Sequence, residues 1–126
     1  MKGVKKSAVI IGAAVAVFAI TGVFSAFAAG APKDKASVAA GKALFGQYCA
    51  TCHGAKGKGD GVASKGLNPP PRNFVKDKFK FGKDDASLFK TLAKGSPGTA
   101  MPGWAASLNN KQRWQVVAFI KTLMKK

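Results

Sequence analysis

The sequence predicts an all-α domain of three to five helices, and three features point that way. Apolar residues recur at helical spacing in three stretches: 38–53, 84–95, and from Asn109 or Asn110 to the end. A helix with one buried face places such residues three and four apart. The connections are rich in glycine and proline, which break helices and form turns. No two alternating stretches flank a turn in the way a strand pair requires.

The first 28 residues stand apart from this pattern. Lys2, Lys5 and Lys6 precede residues 7–32, which carry no charge, and Ala26-Phe27-Ala28 offers small residues where a signal peptidase reads them. This is the pattern of a secretory signal removed after Ala28. The alternative is a retained anchor, since Ser7 to Phe24 is long enough to cross a bilayer at about 1.5 Å per residue. Either way the folded part lies outside the cytoplasm. Residues 29–37 read as a charged, flexible leader and 38–126 as the folded domain. From residue 29 onward, 98 residues carry 18 basic and 5 acidic side chains, a formal charge of +13, with no glutamate. Such a charge attracts acidic proteins, anionic lipid or nucleic acid in a salt-sensitive way and is silent on fold.

In the first helix, 38–53, Val38, Leu44, Phe45 and Tyr48 share a face, with Gly41 on the side of Phe45. Residues 54–66, GAKGKGDGVASKG, follow no strand and lack a closing lysine with serine or threonine, so they read as a solvated Ω-like loop and not as a phosphate cradle. In residues 73–83, NFVKDKFKFGK, Phe79 and Phe81 alternate with Lys78 and Lys80. Aromatics among lysines can stack on nucleic-acid bases; the commoner outcome buries the Phe side on a core and leaves the lysines in water. Residues 84–95 have an acidic start, apolar Leu88, Phe89 and Leu92, and a terminal Gly95, the marks of a short capped helix. The last helix runs through Trp114, Val117, Phe119, Ile120 and Leu123 to the basic Lys125-Lys126.

The chemistry concentrates in CATCHG, residues 49–54, which holds both cysteines and the only histidine. A disulfide between Cys49 and Cys52 would close too short a loop to constrain the unfolded chain much. A thioredoxin-like pair needs a strand-helix-strand setting that is missing. Zinc finds no fourth ligand beyond an isolated Asp60. Covalent haem meets the pattern: thiols at i and i+3 share one side of a helical turn and can add to two vinyl groups, and His53 follows to hold the iron.

For the sixth position of that iron no second histidine exists, which leaves methionine. Met1 belongs to the signal, and Met124 reads as an apolar residue of the last helical turn. Met101 lies in GSPGTAMPGW, residues 95–104, 48 positions after His53, where Pro97 and Pro102 stiffen the chain and Gly98 and Gly103 permit tight turns. A methionine there has no helix face to serve. His53 and Met101 are therefore the candidate metal ligands, and Cys49 and Cys52 the candidate attachment sites.

GKALFGQYCATCHGAKGKGDG, LNPPPRNF and GTAMPGWAASLNNKQRWQVVAFIKTL together resemble the small class I c-type cytochromes, over residues 38–123. The resemblance implies a cytochrome c-like fold around one covalently bound haem c with its iron, thioether bonds at Cys49 and Cys52, and ligation by His53 and Met101. It implies a monomeric one-electron carrier, not an enzyme, in the bacterial periplasm, or anchored to the inner membrane if the signal stays. It also implies a close crossing of first and last helices at Gly41 near Phe119. A proline carbonyl should accept the hydrogen of the outer nitrogen of His53, a role for which Pro69, Pro70 and Pro71 compete.

Arg72 and Trp104 are candidate donors to haem propionates, Trp104 serving equally well as plain packing. The charge implies redox partners with acidic docking surfaces, and Lys56, Lys58, Lys65 and Lys94 are the expected docking lysines. A nucleic-acid module would explain the charge but neither the signal nor CATCHG. The rival function is a haem-based peroxidase or ligand sensor with a labile Met101. So small a chain, with many positions in glycine loops, buries a modest apolar area and relies on the haem to complete its core.

Overall fold

The structure, a computed structural model, describes residues 12–17 and 30–124. The expected cleavage after Ala28 and the basic end Lys125-Lys126 lie outside the described residues. Residues 12–17 have no regular secondary structure, and among the described residues no helix is long and apolar enough to cross a membrane.

Helix α1 (Lys35–Tyr48) begins where the Asp34 carboxylate accepts the Ser37 N–H at 2.8 Å. That bond satisfies one of the donors a helix start leaves unpaired. The start lies three residues before the expected one, because the cap is Asp34. Residues 30–37 are accordingly not the loose leader expected of 29–37: Ala31 packs on the core and donates its N–H to the Asp85 carboxylate at 2.9 Å. The expected single helix over 38–53 is also interrupted. Cys49, at φ −117°, leaves the helical path, and a short helix α2 (Ala50–His53) follows. Backbone bonds from Cys49 to Phe45 and from His53 to Cys49, both 2.9 Å, carry the chain across the break.

Helix α3 (Asp85–Lys94) is capped by Asp84, which accepts the Ser87 N–H at 2.9 Å, and ends at Gly95. Helix α4 (Asn110–Leu123) starts with a reciprocal capping box, in which the Asn109 and Gln112 side chains each accept the other's backbone N–H at 2.9 Å. These four α-helices and a 3-10 turn at Val62–Ser64 are the regular structure of the described residues, which hold no strand. The all-α expectation is met.

The core forms where α1 crosses α4. A β-carbon at Gly41 would overlap the Gln115 carbonyl oxygen and stand 3.2 Å from the Phe119 β-carbon, so the close approach requires glycine. Beside the crossing, Phe45 is 1% exposed and meets Phe119 and Phe74 edge-on, with ring centres 5.2 and 6.1 Å away. Each such side chain taken out of water contributes about 1.5–3 kcal/mol, more than a hydrogen bond does, so apolar contact holds the helix pair together. Helix α3 packs on α4 through Phe89, whose ring stacks on Trp114 at 4.2 Å and lies under the Arg113 guanidinium at 4.9 Å. That guanidinium is buried; Nη1 donates to the Leu108 carbonyl (2.8 Å) and Nη2 to the Asn110 side-chain oxygen, while Nε has no partner among the protein atoms.

Candidate metal and cofactor site

The end of α1, the last two residues of α2, the proline segment and the loop between α3 and α4 border one cleft of about 350 Å³. The structure brings to it every residue singled out for the site: Cys49, Cys52, His53, Pro69, Pro70, Pro71, Arg72, Met101 and Trp104. Met101 and the cysteines are half a chain apart in sequence, so α3 and its flanking loops decide this meeting.

Cys49 and Cys52 form no disulfide with each other. Burial first, and the neighbouring Cys52 second, push the Cys49 thiol up to about 12, so it stays protonated. His53 is 8% exposed, and its Nδ1 lies 3.1 Å from the Arg72 carbonyl oxygen. A carbonyl only accepts, so Nδ1 carries the hydrogen and the lone pair sits on Nε2. Burial pulls the imidazole below its ordinary pKa, the Arg72 bond opposing, and the ring is therefore neutral and able to bind a metal at neutral pH. The ring also stacks on Phe74 at 4.7 Å.

The acceptor corrects the expectation of a proline carbonyl. Pro71 turns its carbonyl toward the glycine-rich loop, where a β-carbon on Gly59 would stand 2.5 Å from it. One residue further on, the Arg72 carbonyl faces the imidazole.

The glycine-rich loop closes the back of the site. The Gly54 and Gly59 N–H groups donate to the carbonyls of Ala50 and His53 at 2.8 Å, and Gly61 donates to Cys52 at 3.0 Å. These bonds satisfy acceptors that the end of α2 leaves unpaired. Gly57 lies at φ 67° against Leu123 and Phe74, which a side chain there would strike. Its N–H groups serve the CATCH segment, so the loop is a brace and not a phosphate cradle.

In the loop after α3, Gly95 (φ 78°) leaves no room for a β-carbon, which would stand 2.7 Å from the Met101 carbonyl oxygen. Ser96 donates to that carbonyl at 3.1 Å, Thr99 Oγ1 accepts the Met101 N–H at 3.1 Å, and Trp104 donates its backbone N–H to Leu92 at 2.7 Å. The prolines were the readable signal in this loop; the Ser96 and Thr99 bonds that hold Met101 were not. Trp104 meets Tyr48 edge-on at 5.6 Å, and its indole Nε1–H is buried with no acceptor among the protein atoms. An unpaired buried donor is costly unless a bound group supplies an acceptor. With two cysteines not bonded to each other, a neutral imidazole, a thioether and an indole N–H seeking an anion, the cleft fits haem with its propionates.

Lys56, Lys58, Lys65 and Lys94 are exposed, but the lysine that lines the cleft is Lys80. Phe79 packs inward, stacked on Phe74 at 6.1 Å, whereas Phe81, expected to be buried with it, is 47% exposed at the cleft.

Residues 36–120 match the family described as cytochrome c oxidase, cbb3-type, subunit III. The chain is 36% identical over 87 residues to cytochrome c-554(547) of Halothiobacillus neapolitanus, covering 68% of this chain and 94% of that protein. It is 28% identical over 90 residues to the cbb3-type cytochrome c oxidase subunit CcoP of Azospirillum brasilense, covering 71% of this chain and 30% of the subunit's length. In structure it resembles a chain of the reducing HAO-like protein complex of Kuenenia stuttgartiensis, with a TM-score of 0.66 at 27% identity, over 73% of this chain and 46% of that one.

Proposed function

Because the chain belongs to the cbb3-type subunit III family of c-type cytochromes and carries haem c, we propose that it is a periplasmic one-electron carrier whose iron is held between His53 and Met101. The observation that carries this is the convergence of Cys49, Cys52, His53 and Met101 on one cleft.

Haem c supplies a one-electron couple of its iron. The residues of the chain do the rest. The Cys49 and Cys52 thiols are placed to tether the group covalently. The Arg72 carbonyl orients His53 and keeps its hydrogen on Nδ1, which leaves Nε2 for the metal. The Ser96 and Thr99 bonds hold the Met101 loop, as a weak neutral ligand requires. If His53 and Met101 both held the metal, no ligand position would be open to oxygen or peroxide, which would favour transfer over catalysis. A methionine ligand in addition to histidine would raise the reduction potential.

The signal pattern of residues 1–28 supports export. Relatives that are subunits of cbb3-type oxidases support redox proteins as partners. An alkaline pyridine assay should find covalently attached haem in the exported protein and none in Cys49→Ser/Cys52→Ser. Met101→Ala should lose the weak near-infrared sulfur-to-iron band of the ferric state and bind carbon monoxide rapidly when reduced. Rapid binding by the unaltered protein would instead favour a sensor or peroxidase.

A further inference from the structure

Resting on the electron-carrier reading, we propose that segment 78–83 is the face on which the partner docks, and that the partner presents an apolar spot ringed by carboxylates.

Phe81 is exposed on a segment that is pinned. The Arg72 guanidinium donates to the Lys78 carbonyl at 2.5 Å, the Lys121 ammonium donates to the Lys83 carbonyl at 3.1 Å, and Phe79 packs on Phe74. Between these ties Lys80 and Phe81 line the cleft, with the Lys80 nitrogen 5.3 Å from the centre of the Phe81 ring. A half-exposed aromatic held in place loses little freedom on binding, which is what an interface anchor requires.

Along residues 76–84 four lysines outnumber two aspartates. Lys76, Lys78, Lys80 and Lys83 are all exposed, and the ion pair among the described residues joins Lys121 to Asp85, so none of the four has a carboxylate at pairing distance. Asp77 accepts the Asn73 N–H, and Asp84 caps α3. An aromatic centre with a basic rim, at the mouth of the cofactor cleft, complements a protein face of the opposite pattern. A membrane surface would take the lysines, but a single ring offers it little apolar area.

The test uses ¹⁵N-labelled haem-loaded protein titrated with oxidised flavodoxin, an acidic redox protein, at about 20 and about 200 mM salt, between which the screening length falls roughly threefold. The amide shifts should centre on residues 78–83. Lys78→Glu/Lys80→Glu should weaken binding about tenfold or more at low salt, and Lys56→Glu/Lys58→Glu, with the same change in net charge, less than about threefold. Phe81→Ser should weaken it about tenfold at both salt levels.

A footprint elsewhere, no binding, equal losses from the two charge pairs, or no effect of Phe81→Ser would overturn the proposal. Phe81-dependent binding to phosphatidylglycerol vesicles without a flavodoxin footprint would overturn it in favour of a membrane. Ascorbate reduction of the same samples separates the two readings. Protein that ascorbate reduces but that shows no such footprint sinks the docking face alone; protein with no ascorbate-reducible haem sinks the electron carrier.

Discussion

Gly41 of α1 lies directly against the Gln115 carbonyl of α4: a β-carbon there would stand 2.5 Å from the carbonyl carbon. The obstacle is backbone, so no rotamer change relieves it. Gly41→Ala should cost about 3 kcal/mol by forcing the helices apart. For a domain of this size that is a fall in Tm of about 12–24 °C, measurable by thermal unfolding of the haem-loaded protein. An unchanged Tm would mean that the crossing is looser than it stands here.

Asp85 ties three parts of the fold together, accepting the Ala31 N–H at 2.9 Å and pairing with Lys121 at 3.2 Å. The Ala31 bond first, and Lys121 next, hold its carboxyl below the usual carboxylate range, with partial burial opposing. A folded-state pKa below the unfolded value gives stability that is present above the unfolded pKa, about 3.9, and is lost as pH falls through the folded value. Asp85→Asn should therefore cost about 1 kcal/mol at neutral pH, and progressively less below about pH 4. Denaturant unfolding of both proteins at pH 7 and pH 3 measures this, and an equal gap at both would assign the loss to packing.

Trp104 keeps a buried indole N–H without an acceptor. If it donates to a haem propionate, Trp104→Phe removes a donor that offsets negative charge beside the iron. The oxidised form then gains, and the reduction potential falls, by up to about 60 mV for a tenfold shift in a one-electron equilibrium. Protein-film voltammetry would read this, whereas a tryptophan that only packs would leave the potential in place.

Much of the site was legible because its signals are local or few. Thiols three apart on a helical turn followed by histidine state their chemistry within five residues, and with one histidine and three methionines in the chain Met101 stands out as the candidate for the remaining position. Asp84, Asn109 and Gly95 announced helix ends by residue type, and the structure shows each in that role. The crossing at Gly41 was legible through the resemblance to class I c-type cytochromes, and the structure shows it.

Composition and spacing alone thus determined the all-α class, the cofactor chemistry and the residues that can serve it, since these depend on short-range geometry and on which side chains exist at all. Only the tertiary structure decided that Arg72 and not a proline meets His53, that Asp34 and Ala31 bind the start of the domain, and that Phe79 turns inward while Phe81 turns out. Those outcomes depend on where a backbone carbonyl or a ring points after many intervening dihedral angles. Contacts with Gly59, Asp85 and Phe74 select that direction.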